Sequence, residues 1–153
     1  MIDLNNAPEL DESLELFFYA FRNFTALPDQ MLAQRGLQRV HHRILFFVGR
    51  YPALSVNQLL TILAVSKQAL NTPLRQLVEQ GYVESRTAEN DRRMRELRLT
   101  ASGEELLGAL NHAQRHFVGS VFTDVGEEGQ QTWNAIMRRM AEMPTPAADP
   151  ATD

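Results

Sequence analysis

A chain of 153 residues, 44% hydrophobic and with a formal net charge of −4, has the length of one compact domain or subunit. With no Cys it can form neither disulfides nor thiolate metal sites nor a Cys nucleophile. Its acidic N-terminal residues lack the basic start and apolar centre of a secretory signal, and its apolar runs are too short to span a bilayer, so a soluble cytoplasmic protein is expected.

Leu10, Leu14, Phe17, Phe18, Phe21 and Phe24 fall at helical spacing and predict an amphipathic first helix over residues 10–27, ending before Pro28. After a connection over 29–36, a second helix is expected over 37–50, with Val40, Ile44, Leu45, Phe47 and Val48 facing inward and Tyr51-Pro52 closing it. Ser55-Val56-Asn57-Gln58 fits a capping box, Ser as N-cap with Gln three residues on. The short helix it opens runs through Leu59, Leu60 and Leu63 and turns at Ala64-Val65 into the next, giving a helix-turn-helix.

That next helix, over 66–80, has two unlike faces. Leu70, Leu74, Leu77 and Val78 recur at intervals of three and four and form an apolar stripe, and Ser66 stands at the N-cap. The opposite face carries Lys67, Gln68, Asn71, Thr72 and Arg75, with no acidic residue before Glu79. Such donors suit phosphate oxygens and base edges, so this helix reads as one that lies in the DNA major groove. Pro73 removes an amide donor mid-helix, and a kink at Asn71–Thr72 is expected.

Gly81 fits the residue just past that helix, and the period then changes. Residues 82–86 and 95–100 read as strands joined by the polar stretch 87–94, a β-hairpin with a charged tip beside the recognition helix. Between Ser66 and Thr100 seven cations stand against five anions, a balance of +2 that leaves −6 for the remainder. A basic lobe on an acidic body can hold phosphates while the rest discourages non-specific binding. Helices are predicted over 101–123 and 127–141, the first with Leu106, Leu107, Leu110, Phe117, Val121 and Phe122 apolar, the second with Trp133, Ile136, Met137 and Met140 on one side. Residues 143–153 are rich in Pro, Ala and Asp and read as a disordered tail. The terminal helices carry more apolar surface than a monomer can bury, so a homodimer joined through them is expected, with paired recognition helices about one DNA turn apart.

The ordered set Ser55-Val56-Asn57-Gln58-Leu59, Ser66 through Leu77, Leu77 through Val83, and Asp91-Arg92-Arg93 followed by Leu99-Thr100 and Gly103 resembles the MarR family of winged helix-turn-helix regulators. The resemblance implies a mainly α fold with a small β-wing: a dimerisation helix and connection over 1–36, the DNA-binding unit over 37–100, and C-terminal dimerisation helices over 101–142. It implies a regulator, commonly a repressor, that binds a pseudo-palindromic operator in double-stranded DNA as a homodimer. Arg93 inherits the role of reaching into the minor groove, where a narrow groove concentrates negative potential. Asp91 would steady the wing by pairing with a nearby Arg, Arg92 would contact phosphate, and Arg86 completes the basic set. Pro73 and Tyr82 depart from the family pattern.

A small-molecule effector is the common pattern in that family; Tyr19, His41, Phe46, Phe47 and Tyr51 are the candidate pocket lining, and the expected mechanism is a shift of population toward a dimer with spoiled spacing. His112 and His116, four apart on one helix, can converge on a point, and with His42 they resemble the set used by zinc-sensing members, to which Asp11, Glu12 or Glu15 could add a carboxylate. No cofactor motif occurs, and no phosphate-cradling Gly-rich loop, G-x-S-x-G or H-E-x-x-H suggests an enzyme. The rival of another class is a winged-helix adaptor that binds protein rather than DNA.

Overall fold

In the computed structural model the described residues are 7–145, so most of the expected tail over 143–153 lies outside them. The elements run α1 (Pro8–Ala33), α2 (Arg39–Arg50), β1 (Leu54–Ser55), α3 (Val56–Leu63), α4 (Lys67–Glu79), β2 (Val83–Thr87), β3 (Arg95–Leu99) and α5 (Ala101–Ala141). Among the described residues no helix is long and apolar enough to cross a membrane.

The first helix passes through Pro28 instead of stopping before it. The lost amide bond is offset by what the extra turn brings inside: Pro28 itself is buried and Leu32 is fully enclosed, and one such Leu contributes about 1.5–3 kcal/mol. Gly36, at φ 68°, then ends the helix, with Leu37 N–H returning to Leu32 O at 3.0 Å. Arg39 fastens α2 to α1, its guanidinium 2.7 Å from Asp29 Oδ2 and donating to Thr25 Oγ1 at 3.2 Å. The second helix begins at Arg39, two residues later than its apolar pattern suggests, and turns Ile44, Leu45 and Val48 into the core.

The capping box forms as expected: Ser55 Oγ accepts Gln58 N–H at 3.1 Å, and Gln58 Oε1 accepts Ser55 N–H at 2.9 Å. Leu54 and Ser55 also add a third strand that the sequence does not announce, making an antiparallel sheet in the order β1-β3-β2. Val83 pairs with Leu99, Ser85 with Leu97 and Thr87 with Arg95, so the second strand sits one residue later than its pattern indicates. Leu54, Val83 and Leu97 close one side of the core, joined there by Leu59, Leu70, Leu77 and Leu110 from the helices.

The helix assignment of α4 runs unbroken through Asn71–Thr72 over residues 67–79, and Pro73 lies buried within it. The proline ring falls on the same face as buried Leu70 and Leu77, so apolar packing opposes the break that the local rule favours. The last helix is divided where expected: Gly126, at φ 76° and ψ −179°, breaks the helical backbone between residues 101–125 and 127–141.

The candidate nucleic-acid interface

Two local devices set α4 in place. Ser66 Oγ accepts Ala69 N–H at 3.1 Å and opens α4. At its other end Gly81 takes φ 79°, Gly81 N–H reaches Val78 O at 3.1 Å and Tyr82 N–H reaches Leu77 O at 2.9 Å, a complete Schellman closure that directs the chain into β2. Between them Leu70, Pro73 and Leu77 are buried while Lys67, Gln68, Asn71, Thr72 and Arg75 are exposed. The turn before α4 depends on Ala64, which holds a left-handed conformation at φ 52°.

The wing joins α5 through Thr100 and Gly103. Thr100 Oγ1 accepts Gly103 N–H at 3.1 Å as the cap of α5 and donates its own proton to the carbonyl of Gly81. Gly103 lies against the Tyr82 carbonyl oxygen so closely that a Cβ there would overlap it. The Leu-Thr…Gly part of the motif is therefore a weld between α4, wing and α5.

Asp91 does not pair with an arginine side chain. Its Oδ1 accepts Arg93 N–H at 2.9 Å, closing the hairpin tip as an Asx turn. Close to the strand start, a short carboxylate meets the nearest backbone donor before it can meet a long, exposed guanidinium. Arg86 is tied at 2.9 Å to Glu84 and lies opposite Glu96 in the strand register, which leaves it less free than the sequence suggests. Arg75 approaches Glu79 at 3.8 Å, an exposed pair of small energetic weight. Among the described residues Lys67, Arg92 and Arg93 make no ion pair. Arg95, outside the expected set, spans the hairpin, donating to Ser85 Oγ and Ser85 O at 3.0 Å each.

The candidate effector residues are spread over α1 (Tyr19), α2 (His41, Phe46 and Phe47) and the turn that follows α2 (Tyr51). Tyr51 borders a cleft of about 510 Å³ with Pro52, Leu54, Gln58 and Ile62, which none of the other four lines. Tyr19 donates to Glu15 at 3.0 Å on the exposed face of α1, and Phe46 packs edge-on to Phe47 with ring centroids 5.2 Å apart. His41 is buried, accepting Gln38 N–H on Nδ1 at 2.9 Å with Nε2 2.7 Å from Gln76 Oε1. Another cleft, about 390 Å³, opens between α2, β3 and α5 beside Arg98, Glu104, Asn111 and Arg115. His112 and His116 are neighbours, with ring centroids 6.5 Å apart. Among the described residues, however, no three His, Asp or Glu side chains gather as a metal-binding group, so His42 does not join them within one chain. An i,i+4 pair shows convergence along one helix and says nothing about a third ligand from another.

Residues 35–94 match the model of the MarR family. The HTH-type transcriptional regulator PetP of Rhodobacter capsulatus is 37% identical over 134 residues, which span 88% of this chain and 81% of that protein. The chain belongs to the MarR family. It is a winged helix-turn-helix transcriptional regulator of that family, as its motif order indicates. FabT of Streptococcus pneumoniae, solved in complex with DNA, shares the MarR-type fold at a TM-score of 0.73 and 21% identity, covering 87% of this chain and 95% of that one. NadR, solved with 4-hydroxyphenylacetate, does so at 0.70 and 20%, covering 84% and 91%.

Proposed function

We propose that two copies of this chain bind a pseudo-palindromic DNA duplex, each setting α4 in the major groove and its wing along the adjacent minor groove, and that this binding represses transcription. The observation that carries the reading is the exposed face of α4: five hydrogen-bonding or cationic side chains with no acidic one before Glu79, next to a hairpin tip whose Arg92 and Arg93 are not neutralised by any described carboxylate. Arg93 is the side chain for the minor groove, Arg92 and Lys67 for phosphates, and Gln68, Asn71 and Thr72 for base edges. FabT, of the same fold, has been solved with DNA, which supports the same use of the fold here.

Dimerisation is supported by apolar side chains left in solvent at both ends of the chain. Phe18 is 73% exposed on α1 and Ile136 51% exposed on α5, with Leu14, Phe17, Val121, Trp133 and Met140 similarly open. Patches of that kind mark association surfaces. A small molecule that prefers a splayed dimer would release the duplex, and the ligand in NadR supports such an effector in this fold.

The test is fluorescence anisotropy with a labelled duplex that the protein selects from a random-sequence pool. The expected result is selection of an inverted repeat, bound by a dimer with a steep inverse dependence on salt. A monomeric protein at micromolar concentration, or one that selects no duplex, would overturn the reading.

A further inference from the structure

We infer that His41 and Gln76 form a latch that positions the recognition helix, so that His41, which touches no DNA, sets duplex affinity through Gln76. The inference rests on the DNA-binding reading above. His41 is only 4% exposed, on α2, while Gln76 is on α4, thirty-five residues on in the chain. The direction of the bond follows from the other ring nitrogen. Gln38 N–H can only donate, and it points at His41 Nδ1 from 2.9 Å, so Nδ1 carries no proton. In a neutral imidazole the proton then resides on Nε2, which donates to Gln76 Oε1 at 2.7 Å. The same bond fixes which way round the Gln76 amide sits.

Among the described residues no other side-chain hydrogen bond or ion pair joins α2 to α4, and Ile44, Leu45, Leu70 and Leu77 all belong to one buried apolar cluster. Apolar packing holds two helices together but has little directional preference, so it resists separation more than a small slide or rotation. A buried hydrogen bond is directional and is lost after a displacement of about 1 Å. Gln76 directly follows Arg75 and lies one turn beyond Thr72, so a shift at Gln76 carries the DNA-facing side chains with it. His41 is in turn held by the N-terminal cap of α2, the helix that Arg39 ties to α1. The latch thus refers the position of α4 to the helices whose exposed faces would join the dimer.

The test compares Gln76→Met, His41→Phe and the double variant for affinity toward the selected duplex and for thermal midpoint, with the imidazole Nε2–H resonance of His41 followed by NMR. Gln76→Met keeps the length of the side chain and removes the acceptor; it should bind about tenfold more weakly and lose the protected Nε2–H signal. His41→Phe should weaken binding by a similar factor. The double variant should be no weaker than either single one, and it should recover part of the midpoint because neither buried partner is left unpaired. His41→Phe also removes a helix cap, and if it fails to fold, His41→Asn, whose Oδ1 can accept Gln38 N–H but whose side chain is too short to reach Gln76, takes its place in every comparison. Wild-type affinity in Gln76→Met would overturn the latch, as would a double variant that regains wild-type affinity together with its midpoint. Weak binding by Gln76→Met with unchanged binding by folded His41→Phe would mean that Gln76 touches DNA itself, and the latch would fall while the DNA reading stood. Failure of the wild-type chain to select any duplex would remove both.

Discussion

The backbone N–H of Arg93 is held 2.9 Å from Asp91 Oδ1, and this bond shapes the wing tip that presents the Arg93 side chain. Met94 N–H closes the same turn onto Asp91 O at 3.0 Å, and Ala88 N–H onto Met94 O at 2.9 Å. Asp91 therefore serves as an acceptor rather than as a counter-charge, and two substitutions separate the roles. Asp91→Asn keeps an acceptor and should bind the selected duplex at least as well as wild type; Asp91→Ala should weaken binding by about 1 kcal/mol through a looser tip. Arg93→Ala should cost about 1–3 kcal/mol of specific binding with the thermal midpoint unchanged. Equal loss in Asp91→Asn and Asp91→Ala, by anisotropy at fixed salt, would restore the charge as the operative feature.

Thr100 and Gly103 bear on stability. Thr100→Val keeps the shape but leaves Gly103 N–H and the Gly81 carbonyl without their partner, and about 1–2 kcal/mol of folding stability should go with it. Gly103→Ala drives a methyl group against the Tyr82 carbonyl, which must move with β2, at a cost of about 1–3 kcal/mol. Urea unfolding of both variants checks the values. Duplex affinity per folded molecule should fall more for Gly103→Ala, because the displaced segment leads into the wing.

The devices that could be read in the sequence are those in which one residue type answers a local need. Ser55 with Gln58, Ser66 before its helix and Gly81 after it all behave in the structure as their local chemistry requires. The misplacements occur where distant packing outweighs that chemistry. Pro28 and Pro73 each argue locally for a break, and each is held inside a helix where its ring is buried. The two-residue strand at Leu54–Ser55 exists only because β3 supplies its partner, and no two residues carry a period. In the sequence His41 is a candidate pocket residue; that its two nitrogens are both occupied depends on Gln76 from another helix. In the candidate site, the exposed face of α4 was legible because helical spacing alone separates it from Leu70 and Leu77. The pairing of Arg86 with Glu84 was not, because an i,i+2 pair meets only in a strand whose neighbours are known.

His42 gives a pH dependence of defined sign. Partial burial lowers its pKa below the ordinary 6.5, against a smaller upward pull from Asp29. The unfolded chain therefore takes up a proton at this position before the folded one does, so the stability linked to it is complete above pH 6.5 and declines as pH falls from there toward the folded pKa. His42→Gln should flatten that part of the stability–pH curve in chemical denaturation at constant salt. Asp29→Asn should deepen the acid loss, since removing the carboxylate lowers the folded pKa further. The opposite slope, with stability rising on acidification through the same window, would show that the attraction to Asp29 outweighs burial.

Gly126 is a test of how the C-terminal arm is set. At φ 76° and ψ −179° it occupies a region open to glycine alone, and Phe122 and Trp133 meet across the break with ring centroids 5.4 Å apart at 69°. Substituting Ala there should cost about 1–3 kcal/mol, or else straighten the chain into a continuous helix and part the two rings. Both outcomes can be read, because Trp133 is the chain's single tryptophan and its emission reports on Phe122 directly. Phe122→Ala supplies the reference spectrum for an unstacked indole. If Gly126→Ala moves the emission toward that reference, it should also weaken self-association, since Trp133, Ile136 and Met140 would turn away together from the surface proposed to join two copies. Unchanged emission and midpoint in Gly126→Ala would mean that glycine's backbone freedom is not what bends the arm.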